Sequence, residues 1–141
     1  MNLKESFMYQ NMVDSLIVLE LEKLETVSKE SNSAEVSRKI TENIFDLLDQ
    51  KEKIYYACRA AKNVLKTDID IAKAMNIKRR QVITLLMKAY RKNPDLSIKQ
   101  AVENLEKKSR EVSFQIELSM LTSEVDYAAL QSIEESWLEH L

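Results

Sequence analysis

The chain of 141 residues contains no glycine, one proline and one cysteine. Tight β-hairpins and glycine-rich phosphate-binding loops commonly depend on glycine, whereas helices need neither glycine nor proline. The single cysteine, Cys58, excludes an internal disulfide, and its position on an apolar helical stripe indicates a core residue rather than a nucleophile. The composition therefore predicts an all-α protein.

Residues that carry catalytic or metal chemistry are also scarce. The only histidine is His140, which excludes a His-based triad and a metal site with several His ligands. No apolar run reaches the ~18 to 20 residues needed to cross a bilayer, and the first residues lack the basic and apolar regions of a secretory signal. We therefore expect a cytoplasmic protein that is not an enzyme, with no cofactor and no metal.

The charge is distributed unevenly along the chain. The whole chain carries -2, but residues 66–92 contain eight basic and two acidic side chains, a local charge of +6. The other residues together carry -8. A basic segment within an acidic chain is typical of a site for an anionic partner.

Hydrophobic spacing and turn signals divide the chain into three regions. Residues 1–66 form an N-terminal core or oligomerisation region, with helices over about 4–28, 34–50 and 52–66. Residues 67–92 form a helix-turn-helix, described below. Residues 93–141 form a C-terminal helical arm, which begins in a turn at 92–95. Its first helix begins at Ile98, and its last helix begins at Glu124 after an N-cap at Ser123.

The pattern at residues 112–120 is compatible with either a strand or a helix. Apolar residues alternate with polar ones from Val112 to Met120, and a period of two is typical of a half-buried strand. A lone strand is unstable and would need a partner, most simply its copy in a second subunit. The competing interpretation is a continuing helix, because Glu, Gln, Leu and Met favour helix.

Residues 71–85 resemble the helix-turn-helix of many transcription regulators. Ala72 stands where the two helices cross and a small side chain is required. Asn76, four residues later, stands at the turn position that needs a left-handed backbone, which Asn tolerates better than most residues. The apolar positions that hold the two helices together are all filled, by Ile71, Met75, Ile77, Val82 and Leu85.

The basic residues predict what this motif binds. In a helix-turn-helix, the start of the second helix faces base edges and phosphates in the major groove. Arginine pairs with guanine and glutamine with adenine, and helix N-termini contact phosphates. A cationic cluster at a helix start is disfavoured by the helix dipole unless an anion binds there. We predict double-stranded DNA as the partner and the following as DNA-binding residues: Thr67, Lys73, Lys78, Arg79, Arg80, Gln81, Thr84, Lys88 and Arg91.

Residues 75–77, 96–102 and 112–114 together resemble the FlhD-type subunit of the flagellar transcription activator. In that family a similar turn is followed by a Leu-Thr/Ser-x-x-Gln-x-Val helix and a short extended segment. The resemblance implies a transcription activator that works in a heteromeric complex. The motif is also similar to the helical middle region of sigma factors, which lies near promoter DNA.

The sequence predicts a sequence-specific transcription regulator that acts as a dimer or heteromer. A single module usually binds a half-site weakly, so two copies reading two half-sites are expected. The first helix and residues 112–141 are the predicted interface, because the run 16–19 makes that helix apolar around most of its circumference. The alternative is an adaptor whose basic face binds an acidic protein surface, such as RNA polymerase or another regulator.

Overall fold

A computed structural model of the protein describes residues 3–27, 33–58, 68–122 and 127–140. Within these residues the all-α prediction is confirmed, since five helices and no strand are present. The helices are α1 Leu3–Thr26, α2 Ser33–Cys58, α3 Asp68–Lys92, α4 Leu96–Thr122 and α5 Tyr127–Leu138.

Helices α1 to α4 pack around one apolar core. α3 and α4 are an antiparallel pair joined by a short turn, and α1 packs mainly on α2. The core draws from all four helices, and its largest fully buried apolar side chains are Ile17, Leu24, Ile44, Ile71, Met75, Val82, Leu86 and Ile98. The predicted basic region therefore belongs to a helix of the bundle core, because α3 contributes Ile71, Met75, Val82 and Leu86.

The predicted helix-turn-helix is wrong, because α3 runs without interruption from Asp68 to Lys92. Asn76, the predicted turn residue, lies inside this helix and is only 4% exposed. Its side-chain amide donates to the backbone oxygen of Ser109 at 3.0 Å and to the hydroxyl oxygen of Ser113 at 3.1 Å, both on α4. These bonds hold Asn76 in the helical conformation, and α3 contains no glycine or proline that would interrupt the helix.

The burial pattern of α3 is that of one helix. Ile71, Met75 and Val82 are 0 to 1% exposed, as the motif required. Ile77 and Leu85, which the motif also placed between its two helices, are 58% and 40% exposed. At about 100° per residue, a single helix turns these two side chains away from the face that carries the other three.

The predicted strand at 112–120 is also wrong, since α4 continues through it to Thr122. Residues two apart in a helix point in nearly opposite directions, so an alternating pattern gives a helix two apolar sides. Val112 faces the core at 7% exposure, whereas Phe114 and Leu118 are 62% and 45% exposed. The alternating apolar residues therefore lie on two sides of α4, one that packs in the core and one that the bundle leaves exposed.

Several predicted boundaries shift. The break expected between residues 50 and 52 is absent, because α2 is continuous to Cys58. α4 begins at Leu96 rather than Ile98, because a carboxylate oxygen of Asp95 accepts a hydrogen bond from the backbone N–H of Ser97 at 2.8 Å. Residues 59–67 and 123–126, which include the predicted N-cap at Ser123, lie outside the described residues.

The predicted turn between α3 and α4 is confirmed, and it is anchored. Asn93 is 7% exposed, and its side-chain amide donates to the backbone oxygen of Leu24 and to the hydroxyl oxygen of Ser37, both at 3.1 Å. These bonds attach the turn to α1 and α2. The α3–α4 pair is thereby held on the α1–α2 pair.

Replacing Asn76 by glycine distinguishes an unbroken α3 from a helix-turn-helix, because the two predict opposite effects on stability. In an unbroken α3, Asn76→Gly removes buried hydrogen bonds and lowers the free energy of unfolding by about 2 to 4 kcal/mol. At the turn of a helix-turn-helix, glycine would be neutral or stabilising. The control is Asn104→Gly on the exposed side of α4, which carries the backbone cost alone and should lower stability by less than about 1 kcal/mol. Urea unfolding measures both, and equal effects would contradict the buried role of Asn76.

Candidate functional site

The structure separates the predicted DNA-binding residues into two groups. Thr67 lies outside the described residues. Lys78 is half-buried and Arg79 is buried, and both pair with carboxylates of neighbouring helices. The remaining six are exposed on α3, namely Lys73, Arg80, Gln81, Thr84, Lys88 and Arg91.

One carboxylate, that of Asp14 on α1, holds Lys78. The ammonium nitrogens of Lys78 and of Lys51 on α2 each lie 3.1 Å from Asp14 Oδ1. Lys51 also donates to Asp14 Oδ2 at 3.3 Å and to Gln10 Oε1 at 3.1 Å, and its nitrogen lies 5.1 Å from the centre of the Tyr55 ring. Within the described residues Oδ1 accepts no hydrogen bond, so its contacts with the two cations are electrostatic.

This three-helix ion cluster has a structural role. The side chains of Lys51 and Lys78 are only 7% and 15% exposed, and they share a carboxylate that is 39% exposed. A buried cation without a counter-charge is strongly unfavourable, so the cluster constrains how α1, α2 and α3 align. The sequence gives no signal for it, because Asp14, Lys51 and Lys78 are far apart along the chain and each resembles an ordinary surface residue.

Arg79 is occupied inside the bundle as well. One guanidinium nitrogen donates to Asn76 Oδ1 at 2.9 Å, and the other lies 3.6 Å from Glu52 Oε2 on α2. Burial lowers the pKa of Arg79 from its ordinary value, and the nearby carboxylates of Glu52 and Asp49 partly offset this. Since Asn76 in turn bonds to α4, this pair of residues links α2, α3 and α4. Arg79 is therefore not available to contact a base.

The six exposed residues form one surface, here called the cationic face: Lys73, Arg80, Gln81, Thr84, Lys88 and Arg91. Their spacing places them within about 100° of one another around α3, on the side away from the core. From Lys73 to Arg91 the face extends about 27 Å. α3 has no acidic residue after Asp70, so this face has no acid of its own beyond the first turn.

A groove runs between α3 and α4 at one edge of the cationic face. Its volume is about 580 Å³. Arg80, Ile83 and Thr84 line it from α3. Arg110 and Phe114 line it from α4 together with Glu106 and Glu117, so apolar and charged side chains of both signs meet there. We call this the α3–α4 groove.

α1 carries a second apolar stripe besides its core face. Val13, Ile17, Leu21 and Leu24 are buried in the core. On another side, the exposed residues recur at helical spacing, with exposures of 62% for Met8, 59% for Met12, 38% for Leu16 and 50% for Leu19. We call these four the α1 stripe. In the apolar run at 16–19, Leu16 and Leu19 therefore belong to this stripe and Ile17 belongs to the core.

α5 is the most exposed element of the structure. None of its residues is buried, and within the described residues it does not pack on any other helix. Leu130, Ile133 and Trp137 form a stripe at helical spacing and are 51%, 48% and 66% exposed. Phe114, Leu118 and Leu121 repeat the same pattern on the outer side of α4, which leads into α5.

Other residues singled out by their chemistry lie apart from these surfaces. Cys58 is buried, in agreement with the core position predicted for it. In the described ranges no group of three or more His, Cys, Asp and Glu side chains is arranged to hold a metal ion. Nor does any helix in these ranges have the length and apolar character needed to cross a membrane.

Comparison with known proteins returned no matching family model, no similar curated protein and no similar solved structure. The resemblance to the FlhD-type activator subunit stays a prediction, and the residues that carry it at 75–77 lie within the unbroken α3.

Asp14→Asn tests the ion cluster. It leaves two poorly exposed lysines without their counter-charge, so the free energy of unfolding should fall by about 1 to 3 kcal/mol. Adding Lys51→Met to this variant should recover part of the loss, because one of the two uncompensated cations is then removed. The control is Glu42→Gln, which breaks the exposed pair with Arg38 and should cost less than about 1 kcal/mol. Equal losses in Asp14→Asn and Glu42→Gln would contradict a structural role for the cluster.

Proposed function

We propose that the protein is an adaptor or assembly subunit, a helical bundle that acts by binding other polypeptide chains. The observation that carries this proposal is α5, a helix with an apolar stripe and no contact with the rest of the described chain. Isolated helices shorter than ~12 to 15 residues are marginal in water, and α5 has 12. A partner chain that covers its stripe would supply the packing that the helix lacks.

The α1 stripe supports the same proposal. Contiguous exposed apolar surface at helical spacing is typical of a helix that packs against another helix. The α1 stripe and the outer side of α4 both have this character, on sides that the core does not use. They coincide with the regions in which the sequence predicted the interface.

Self-association tests the proposal. We expect sedimentation equilibrium at micromolar concentration to give a mass above that of one chain, because burying these stripes removes apolar surface from water. Met12→Lys with Leu19→Lys places charges in the α1 stripe and should weaken association if this stripe takes part. The matched control is Asn11→Lys with Ser15→Lys, which adds the same charge at exposed polar positions of α1. A single-chain mass for the unaltered protein would contradict self-association and leave only a different chain as the partner.

The cationic face favours a second candidate function, sequence-specific DNA binding in transcription control. A continuous helix can lie in the major groove, as the basic regions of some dimeric regulators do. The candidate residues are then Arg80, Gln81 and Thr84 for bases and Lys73, Lys88 and Arg91 for phosphates. Lys78 and Arg79 are not part of this proposal, because their charges are paired inside the bundle.

DNA affinity at low salt tests this candidate. Lys88→Ala with Arg91→Ala should weaken binding and reduce the slope of log affinity against log salt by about 2, the number of phosphate-neutralising charges removed. The control, Lys39→Ala with Lys53→Ala, removes two exposed lysines from α2 and should leave both quantities nearly unchanged. Absence of binding at about 50 mM salt, or an equal effect of the control, would contradict DNA binding by α3.

A further inference from the structure

We propose that the partner is a second copy of this chain, and that α5 of each copy docks in the α3–α4 groove of the other. This rests on the proposed function and names both the partner and the surface. It is carried by the exposure of α5, by the charge of the two surfaces and by their matching lengths.

α5 is both amphipathic and acidic. Leu130, Ile133 and Trp137 form its apolar stripe. Glu134 flanks that stripe on one side, Glu135 lies on the back of the helix, the opposite flank is made of small residues, and the helix contains no lysine or arginine. A surface that accepts α5 must therefore offer apolar contact with a cation along one edge.

The α3–α4 groove meets both conditions. Ile83 and Phe114 provide apolar lining, and Phe114 is 62% exposed. Arg80 provides the cation, on the α3 wall. The α4 wall runs from residue 106 to residue 117, which is about 17 Å of helix, and the 12 residues of α5 make about 18 Å.

The charges also select an orientation. The α4 wall of the groove carries Arg110 and two glutamates, Glu106 and Glu117, and the glutamates would repel the acidic flank of α5. The α3 wall belongs to the cationic face and has no acid there. The acidic flank of α5 therefore lies toward Arg80, and the flank of small residues lies toward α4.

A second copy is favoured over the same chain because, in the part of the chain that the structure describes, α5 does not pack on any helix of its own bundle. Exchange of α5 between two copies gives two identical contacts related by a twofold axis, which is a closed assembly. Two helix-in-groove contacts that each bury a tryptophan-containing stripe approach the ~1,200 to 2,000 Å² typical of a stable interface, whereas one contact gives about half of that.

Trp137 is the only tryptophan, so its fluorescence reports on α5 alone. We expect its emission maximum to move to shorter wavelength as the protein concentration rises, in step with the increase in mass measured by sedimentation. A short-wavelength maximum in a single-chain species, independent of concentration, would show docking within one chain and overturn the proposal. Association with Trp137 still in water would also overturn it, while the proposed interaction function would stand on another surface.

Charge exchange tests the pairing itself. Arg80→Glu reverses the charge on the α3 wall of the groove, and Glu134→Lys reverses the charge on the flank of α5 that faces this wall. Each variant alone should associate at least tenfold more weakly, because α5 and the groove then repel. An equimolar mixture should regain association, because α5 of each variant meets an oppositely charged groove on the other variant. Both variants change exposed residues only, so circular dichroism should show unaltered helices.

The matched control is Lys39→Glu, a reversal of charge on the exposed side of α2. It should associate as strongly as the unaltered protein, and mixing it with the α5 variant should not increase association. If the two reversed variants do not associate when mixed, or if neither variant alone associates more weakly than the unaltered protein, α5 does not dock in the groove and the proposal is overturned.

Discussion

The buried amide of Asn76 determines the form of α3, and the candidate surfaces depend on that form. Its bonds to Ser109 and Ser113 hold the middle of α3 against α4, where a turn would otherwise be possible for an asparagine. Its oxygen also accepts from Arg79, which fixes the adjacent arginine inside the bundle. Because the helix is unbroken, the cations further along α3 fall on one straight outer face rather than at the start of a separate recognition helix.

The sequence was sufficient for the fold class and for a turn at 92–95, because absence of glycine, helical spacing and the effect of Pro94 on its neighbour act locally. It was insufficient for Asn76, since a left-handed turn residue and a buried helical amide have the same local signature and only the distant Ser109 and Ser113 distinguish them. The same holds for Lys78, whose counter-charge at Asp14 is more than sixty residues away. Exposed cations such as Arg80 could be anticipated from charge alone, because no contact is needed to leave a side chain in solvent.

The two candidate functions use overlapping surfaces. Arg80 lies both on the cationic face and in the α3–α4 groove, so an acidic helix docked there and a DNA base would compete for the same guanidinium. Glu134 on α5 would then occupy the arginine that is the candidate for base contact. Assembly through the groove would thus reduce the area of α3 open to DNA, while assembly through the α1 stripe would not.

The two-sided character of α4 has a thermodynamic consequence. Its inner side completes the core through Ile98, Ala101 and Leu105, while Phe114 and Leu118 on its outer side remain in contact with water. A ligand that binds this outer side binds only folded molecules, because the surface does not exist in the unfolded chain. Binding therefore stabilises the native state, and the stabilisation increases with ligand concentration. With a second copy as that ligand, the temperature at which half the molecules are unfolded is not a constant of the chain but rises with its own abundance.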